Sequence, residues 1–246
     1  MELRGRVALV TGGGRRVGRA LALALGQRGA AVAVHFNESE TGAHEVVASL
    51  TASGGRAKAF GADLTGADAP AALIRDVIGA FGQLDVLINS AAIMLRTPFG
   101  TVSADAWDRM FALNLRAPFL LSQAAAPHLK AARGAIVNIA DLAAFETWPG
   151  YIPHGLTKAG VVYATRALAK VMAPEVRVNA IAPGTVLLPD EWSEKDAAHL
   201  NATTPLKRSG APEDVAAAML FLLDSDYITG DVIVVDGGRH IRGSTT

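Results

Sequence analysis

Cysteine is absent from the 246-residue chain, which excludes disulfides, thiolate nucleophiles and cysteine-ligated metal sites together. Redox chemistry would need a bound cofactor. An excess of either charge is missing too. Lys plus Arg and Asp plus Glu both number 23, so no overall field draws nucleic acid or an anionic membrane, and any anion site has to be local. Long apolar runs are lacking: Val215–Leu223 is too short to span a bilayer, and Met1-Glu2-Leu3-Arg4-Gly5-Arg6 carries charges where a signal peptide needs an apolar stretch. The expectation is a cytoplasmic protein with no membrane or nucleic-acid partner. The histidines show no His-x-x-x-His spacing, and no metal site is expected.

What is present is apolar bulk. Half of the residues are hydrophobic and 19% are charged, enough to offset the entropy of ordering one sizeable domain. Short β-branched runs alternate with Ala- and Leu-rich stretches. Strands are expected at Val7–Val10, Ala31–Phe36, Ala57–Gly61, Val86–Ile88, Ala135–Ile139, Val176–Ile181 and Val232–Val235, all without polar alternation, as in a sheet covered on both faces. Helices are expected at Arg16–Arg28, Ser39–Ser53, Ala67–Phe81, Ser103–Ala131, Ile152–Met172 and Pro212–Leu223. The fold class is α/β: a Rossmann-like, doubly wound, parallel seven-stranded sheet forming a single domain over 1–246. The polar segment Thr185–Ser209, with Pro189 and Pro205, is long for a passive connection and is read as a substrate lid with Trp192 as an anchor; a plain surface insertion is the alternative. Trp107 and Trp148 are read as packing residues.

The turn Thr11-Gly12-Gly13-Gly14-Arg15-Arg16-Val17-Gly18 follows the first strand and runs into a helix. Backbone N–H groups at that helix start can face a phosphate with no Cβ in the way, and Arg15 and Arg16 add cations that a structural turn would not need.

This turn, Asn89-Ser90-Ala91 after the fourth strand, Asn114, Lys158 and the run Arg177-Val178-Asn179-Ala180-Ile181-Ala182-Pro183-Gly184 together resemble the short-chain dehydrogenase/reductase family over essentially the whole chain. Arg16 in place of a middle glycine, Asp141, Val186-Leu187-Leu188-Pro189 and Asp236-Gly237-Gly238-Arg239 resemble its pteridine-reductase branch. The resemblance implies hydride transfer between a nicotinamide and a carbonyl or imine carbon, with a Tyr as proton donor, a Lys four residues on and a Ser near the substrate. Counting back four places from Lys158 gives His154, not Tyr, and thirteen more gives Asp141, not Ser. Tyr151 is out of register with Lys158 for adjacent helical turns. Ala92 and Met94 stand where the branch carries a Ser and a stacking aromatic.

Asp141, His154 and Lys158, with Asn114 bending the long helix and supporting a water-mediated proton path, are the expected catalytic set. A histidine has an ordinary pKa of about 6.5 and can act as a general acid near neutrality. The other reading keeps His154 as a polar residue in a site that binds cofactor with little turnover. A 3-oxoacyl-carrier reductase is a third option, disfavoured by Arg16 and Asp141.

The expected cofactor is NADP(H). By alignment Phe36 takes the place where an NAD site puts a carboxylate for the ribose hydroxyl, with His35, Asn37 and Ser39 beside it and Glu38 as an objection. Thr11, Gly12, Arg15, Arg16, Val17 and Gly18 are assigned to the phosphates. Asp63 and Leu64 resemble the adenine contact, and Asn89, Ser90, Ala91, Lys158, Pro183 and Gly184 complete the cofactor set. Substrate contacts are expected from Ala92, Met94, Tyr151, Val186, Leu187 and Trp192. The family resemblance implies a homotetramer or homodimer packed through Ser103–Ala131 and Ile152–Met172.

Overall fold

The computed structural model describes residues 1–186 and 193–241. Seven parallel strands, β1 (Val7–Val10), β2 (Ala31–Phe36), β3 (Ala57–Gly61), β4 (Val86–Asn89), β5 (Ala135–Ile139), β6 (Arg177–Pro183) and β7 (Val232–Val235), form one sheet in the order β3-β2-β1-β4-β5-β6-β7. The chain winds outward from β1 in one direction, then returns to β4 and winds in the other. This reversal leaves a crevice beyond the carboxyl ends of β1 and β4, the place where such sheets take ligands.

Alternate residues of each central strand feed opposite faces. Ala8 and Val10 of β1 join Val32 and Val34 of β2 under helices α1 (Arg16–Gln27), α2 (Glu40–Ala52) and α8 (Pro212–Asp224). Val7, Leu9, Ala33 and Leu87 face the other way, against α3 (Ala69–Phe81), α5 (Ala117–Ala132) and α6 (Ile152–Met172). Both faces being covered explains why the strands read as apolar runs rather than alternating ones.

Three differences from the sequence expectation have physical causes. Ser103–Ala131 is not one helix: α4 (Ala104–Phe111) passes through a π-helical turn at Ala112–Arg116 before α5. The wider turn is held by Asn114, whose side chain pairs with the backbone N and O of Ile93 at 2.9 and 2.8 Å. Second, β6 is shifted toward its carboxyl end relative to Val176–Ile181, because Ala182 and Pro183 pair with Val234 and Val235 of β7. Third, the polar stretch within Thr185–Ser209 contains α7 (Glu194–Thr203), begun by a reciprocal cap in which Ser193 and Asp196 satisfy each other's backbone N–H. The part of the expected lid from 187 to 192, including Leu187 and Trp192, lies outside the described residues.

Candidate active site

The crevice at the carboxyl ends of the strands opens into a cavity of about 930 Å³. Its floor begins at the Gly-rich turn. Gly12 has φ +64°, and a Cβ on Gly18 would lie 2.1 Å from the Gly12 carbonyl oxygen, so the turn can close this tightly only without side chains. Arg16, the first residue of α1, also takes the left-handed region, at φ +49°. Helix α1 has no side-chain cap and no acidic residue in its first turn, leaving its end open to an anion.

The turn is pinned from below by His35. The backbone N of Gly12 donates to His35 Nδ1 at 3.1 Å, and the ring's other nitrogen meets the Ala62 carbonyl at 3.0 Å. Accepting at Nδ1 and donating at Nε2 requires the neutral imidazole. Burial accordingly pushes the His35 pKa down to about 4. Thr11 does similar work on the next strand, accepting from the backbone N of Ser90 and of Ala91 at 2.9 and 3.0 Å.

At the far end of the cavity, Asp141 opens a short 3-10 turn, and its Oδ1 accepts from the backbone N of Ala143 at 2.8 Å. Its Oδ2 stands 3.6 Å from His154 Nε2, too long for a hydrogen bond and close enough for an ion pair with a protonated ring. His154 is 2% exposed, and neither ring nitrogen has a hydrogen-bond partner among the described residues. One turn on along α6, Lys158 Nζ donates to the Ile139 carbonyl at 2.8 Å. Burial pulls the Lys158 ammonium down from its ordinary range, with Asp141 opposing.

The structure brings most of the sequence-derived residues together. Gly12, Arg15, Arg16, Val17, Gly18, His35, Asn37, Ser39, Asp63, Leu64, Ser90, Ala91, Pro183 and Gly184 line the cavity, as do Ala92, Met94, Asp141, Tyr151, His154, Lys158 and Val186. Thr11, Phe36, Asn89 and Asn114 do not. Thr11 and Asn89 are buried behind the wall; Asn89 Nδ2 donates to Asn138 Oδ1 at 2.8 Å. Phe36 is a correction: its ring packs against His44, with centroids 6.2 Å apart, and under Gly61, and the wall beyond β2 is made by Asn37, Glu38 and Ser39. Asn114 lies in the π-helical turn, and the described bonds of its amide go to Ile93 and Thr157, not to Lys158.

Several lining residues escaped the sequence reading. Arg109 comes from α4 to within 3.9 Å of Glu38; the backbone N and hydroxyl of Thr65 hold the Asp63 carboxyl below its ordinary range, with Arg109 adding a smaller pull in the same direction. Arg96, Arg239 and Trp148 also line the cavity, so Trp148 is not only a packing residue. Arg96, Arg109 and Trp148 have no local motif, and Arg239 ends the Asp236-Gly237-Gly238-Arg239 run, to which the sequence reading gave no role in the site.

A parallel sheet wound outward from β1 and β4, with a glycine turn over its switch point and a half-buried acid beside a buried imidazole and ammonium, defines an α/β oxidoreductase of the dinucleotide-binding type. The family model described as enoyl-(acyl carrier protein) reductase matches residues 13–240. A 3-oxoacyl-[acyl-carrier-protein] reductase from Synechocystis is 38% identical over 241 residues, covering 96% of this chain and 97% of the relative. Among solved structures, a chain from Sinorhizobium meliloti assigned to the short-chain alcohol dehydrogenases superposes with TM-score 0.93 at 34% identity, covering 98% of this chain and 99% of that one. A blue fluorescent protein from a metagenomic library, solved in complex with NADPH, gives TM-score 0.91 at 32% identity, with 97% and 99% coverage. The chain belongs to the short-chain dehydrogenase/reductase family.

Proposed function

We propose that the chain is an NADPH-dependent reductase of a small carbonyl or cyclic imine compound, in which His154 rather than a tyrosine delivers the proton. One observation carries this reading: a buried imidazole whose two nitrogens have no hydrogen-bond partner among the described residues lines the cavity beside a fixed carboxylate, with a buried ammonium one helical turn on. A buried polar atom without a partner costs about 1–3 kcal/mol, a cost tolerated where a site must meet a ligand.

The residues fit the cofactor. The Gly12–Gly18 turn and the start of α1 suit the pyrophosphate; Arg15 and Arg16 suit the phosphates; Asp63 and Leu64 suit the adenosine end; Lys158 suits the nicotinamide ribose. When bound, the reduced nicotinamide supplies the hydride. The protein's own part is acid–base. Asp141, anchored by the backbone N of Ala143, holds a carboxylate oxygen 3.6 Å from His154 Nε2, facing the ring that delivers the proton. The protonated ring donates to the oxygen or nitrogen on which charge develops, and the site stabilises that charge where it forms.

The likeness to the pteridine-reductase branch rests on Arg16, Asp141 and the two short runs ending at Pro189 and Arg239, but Ala92 and Met94 offer no hydroxyl and no flat ring to a pterin. The name of the Synechocystis relative favours a second reading in which the carbonyl belongs to a 3-oxoacyl thioester; the proton chemistry is the same. Consumption of NADPH against a panel of ketones, aldehydes, cyclic imines and 3-oxoacyl thioesters tests the proposal. Turnover abolished by His154→Phe supports it. Tight NADPH binding with no turnover of any class would favour a low-turnover cofactor binder.

A further inference from the structure

We propose that the substrate carries a carboxylate, received by Arg96 and Arg239 beside His154. This rests on the reductase reading of the same cavity.

Lining side chains include six cations, Arg15, Arg16, Arg96, Arg109, Lys158 and Arg239, and three carboxylates, Glu38, Asp63 and Asp141. Most of these have an assigned counterpart. Arg15 and Arg16 lie at the phosphate end, Arg109 faces Glu38 and Asp63, and Lys158 faces Asp141. Arg96 and Arg239 are left over. Among the described residues neither guanidinium is within ion-pair distance of a carboxylate, and neither falls in the cofactor set.

Both line the cavity that holds the catalytic group. Arg96 precedes Thr97, whose backbone N donates to the Gly150 carbonyl at 2.8 Å. The Arg96 side chain passes the Gly150 backbone, a Cβ on which would lie 3.8 Å from Nε. Gly150 leads directly into α6 and His154. Arg239 comes from the segment after β7 and is half-buried, and its guanidinium donates to Thr185 Oγ1 at 3.0 Å. That one bond fixes the planar fork while leaving donors for a second acceptor, and a fork so held suits the two oxygens of a carboxylate. The imidazole that lines the same cavity, with no hydrogen-bond partner among the described residues, marks where the reacting carbonyl sits. The acid group and the carbonyl therefore belong to one compact molecule.

The test uses the full-length protein loaded with oxidised cofactor, so that binding is read without turnover. Calorimetric titration compares 2-, 3- and 4-oxo acids with their neutral amides. The expected result is at least one acid bound about tenfold or more tightly than its amide, as for a charge-assisted bond. The preference should weaken with added salt, fall toward unity in Arg96→Gln or Arg239→Gln, and survive in Arg96→Lys. Equal affinity of acid and amide across the series, or no measurable binding of any acid, overturns the inference. So does a preference confined to acetoacetyl-CoA over its neutral cysteamine thioester, which would place the anion on a carrier. An acid preference without reduction of any acid would leave this inference standing and count against the reductase reading; reduction of acid and amide alike would do the reverse.

Discussion

The backbone N of Gly12 donates to the ring of His35 at 3.1 Å, so the phosphate-facing turn rests on an imidazole that must be neutral. In the unfolded chain that ring takes up a proton near its ordinary 6.5; in the folded protein it resists until about 4. Between those values the unfolded state binds more protons. The stability contributed by neutral His35 is complete above about pH 6.5 and lost as pH falls toward 4, to a limit of about 3 kcal/mol. Urea unfolding at about pH 7.5 and about pH 5 should show this loss, and His35→Gln should be less stable at the higher pH but lose less on acidification. Equal pH sensitivity in both proteins would contradict the role.

A methyl at residue 18 has nowhere to go, since it would lie 2.1 Å from the Gly12 carbonyl oxygen and 3.2 Å from the Gly13 Cα. Both are backbone, so the turn must open. Gly18→Ala should cost about 1–3 kcal/mol of stability and weaken NADPH binding disproportionately, read by thermal melts with and without cofactor. An unchanged cofactor-induced rise in Tm would contradict this.

Arg16 occupies the left-handed region at φ +49°, which costs a non-glycine residue roughly 1–2 kcal/mol. Arg16→Gly relieves this, offset by about 0.5–1 kcal/mol of added chain entropy, so stability should change little. NADPH affinity should fall about tenfold and NADH affinity far less, if the guanidinium serves the 2′-phosphate. Equal losses for both cofactors would move Arg16 to the pyrophosphate.

Phe119 on α5 and Tyr163 on α6 are 46% and 76% exposed, apolar cover that soluble helices seldom leave open. Light scattering at micromolar concentration should give a dimer or tetramer, and Phe119→Asp with Tyr163→Asp should lower the mass. A wild-type monomer would contradict the assembly proposed from the family.

The sheet was legible because buried parallel strands are apolar on both faces, so Val7–Val10 and Ala31–Phe36 announce themselves by composition. Asn114 could be singled out, but not the π turn around it, because that turn depends on a partner, Ile93, on a separate loop. Phe36 shows the limit of counting along a motif. Which residue after β2 faces the cavity depends on where the strand ends and how His44 and Gly61 pack on the ring. Arg96 and Arg109 gave no sequence signal, and Arg239 stood in a recognised run without a role, since chain reversals bring the three to one cavity from distant segments.

The account turns on the proton from His154. On a confirmed substrate, single-turnover reduction by His154→Phe should be slower by a factor of about a hundred or more, the usual size of a general-acid contribution, with NADPH affinity retained. Full-rate reduction by His154→Phe would show that the proton comes from elsewhere and would contradict the account.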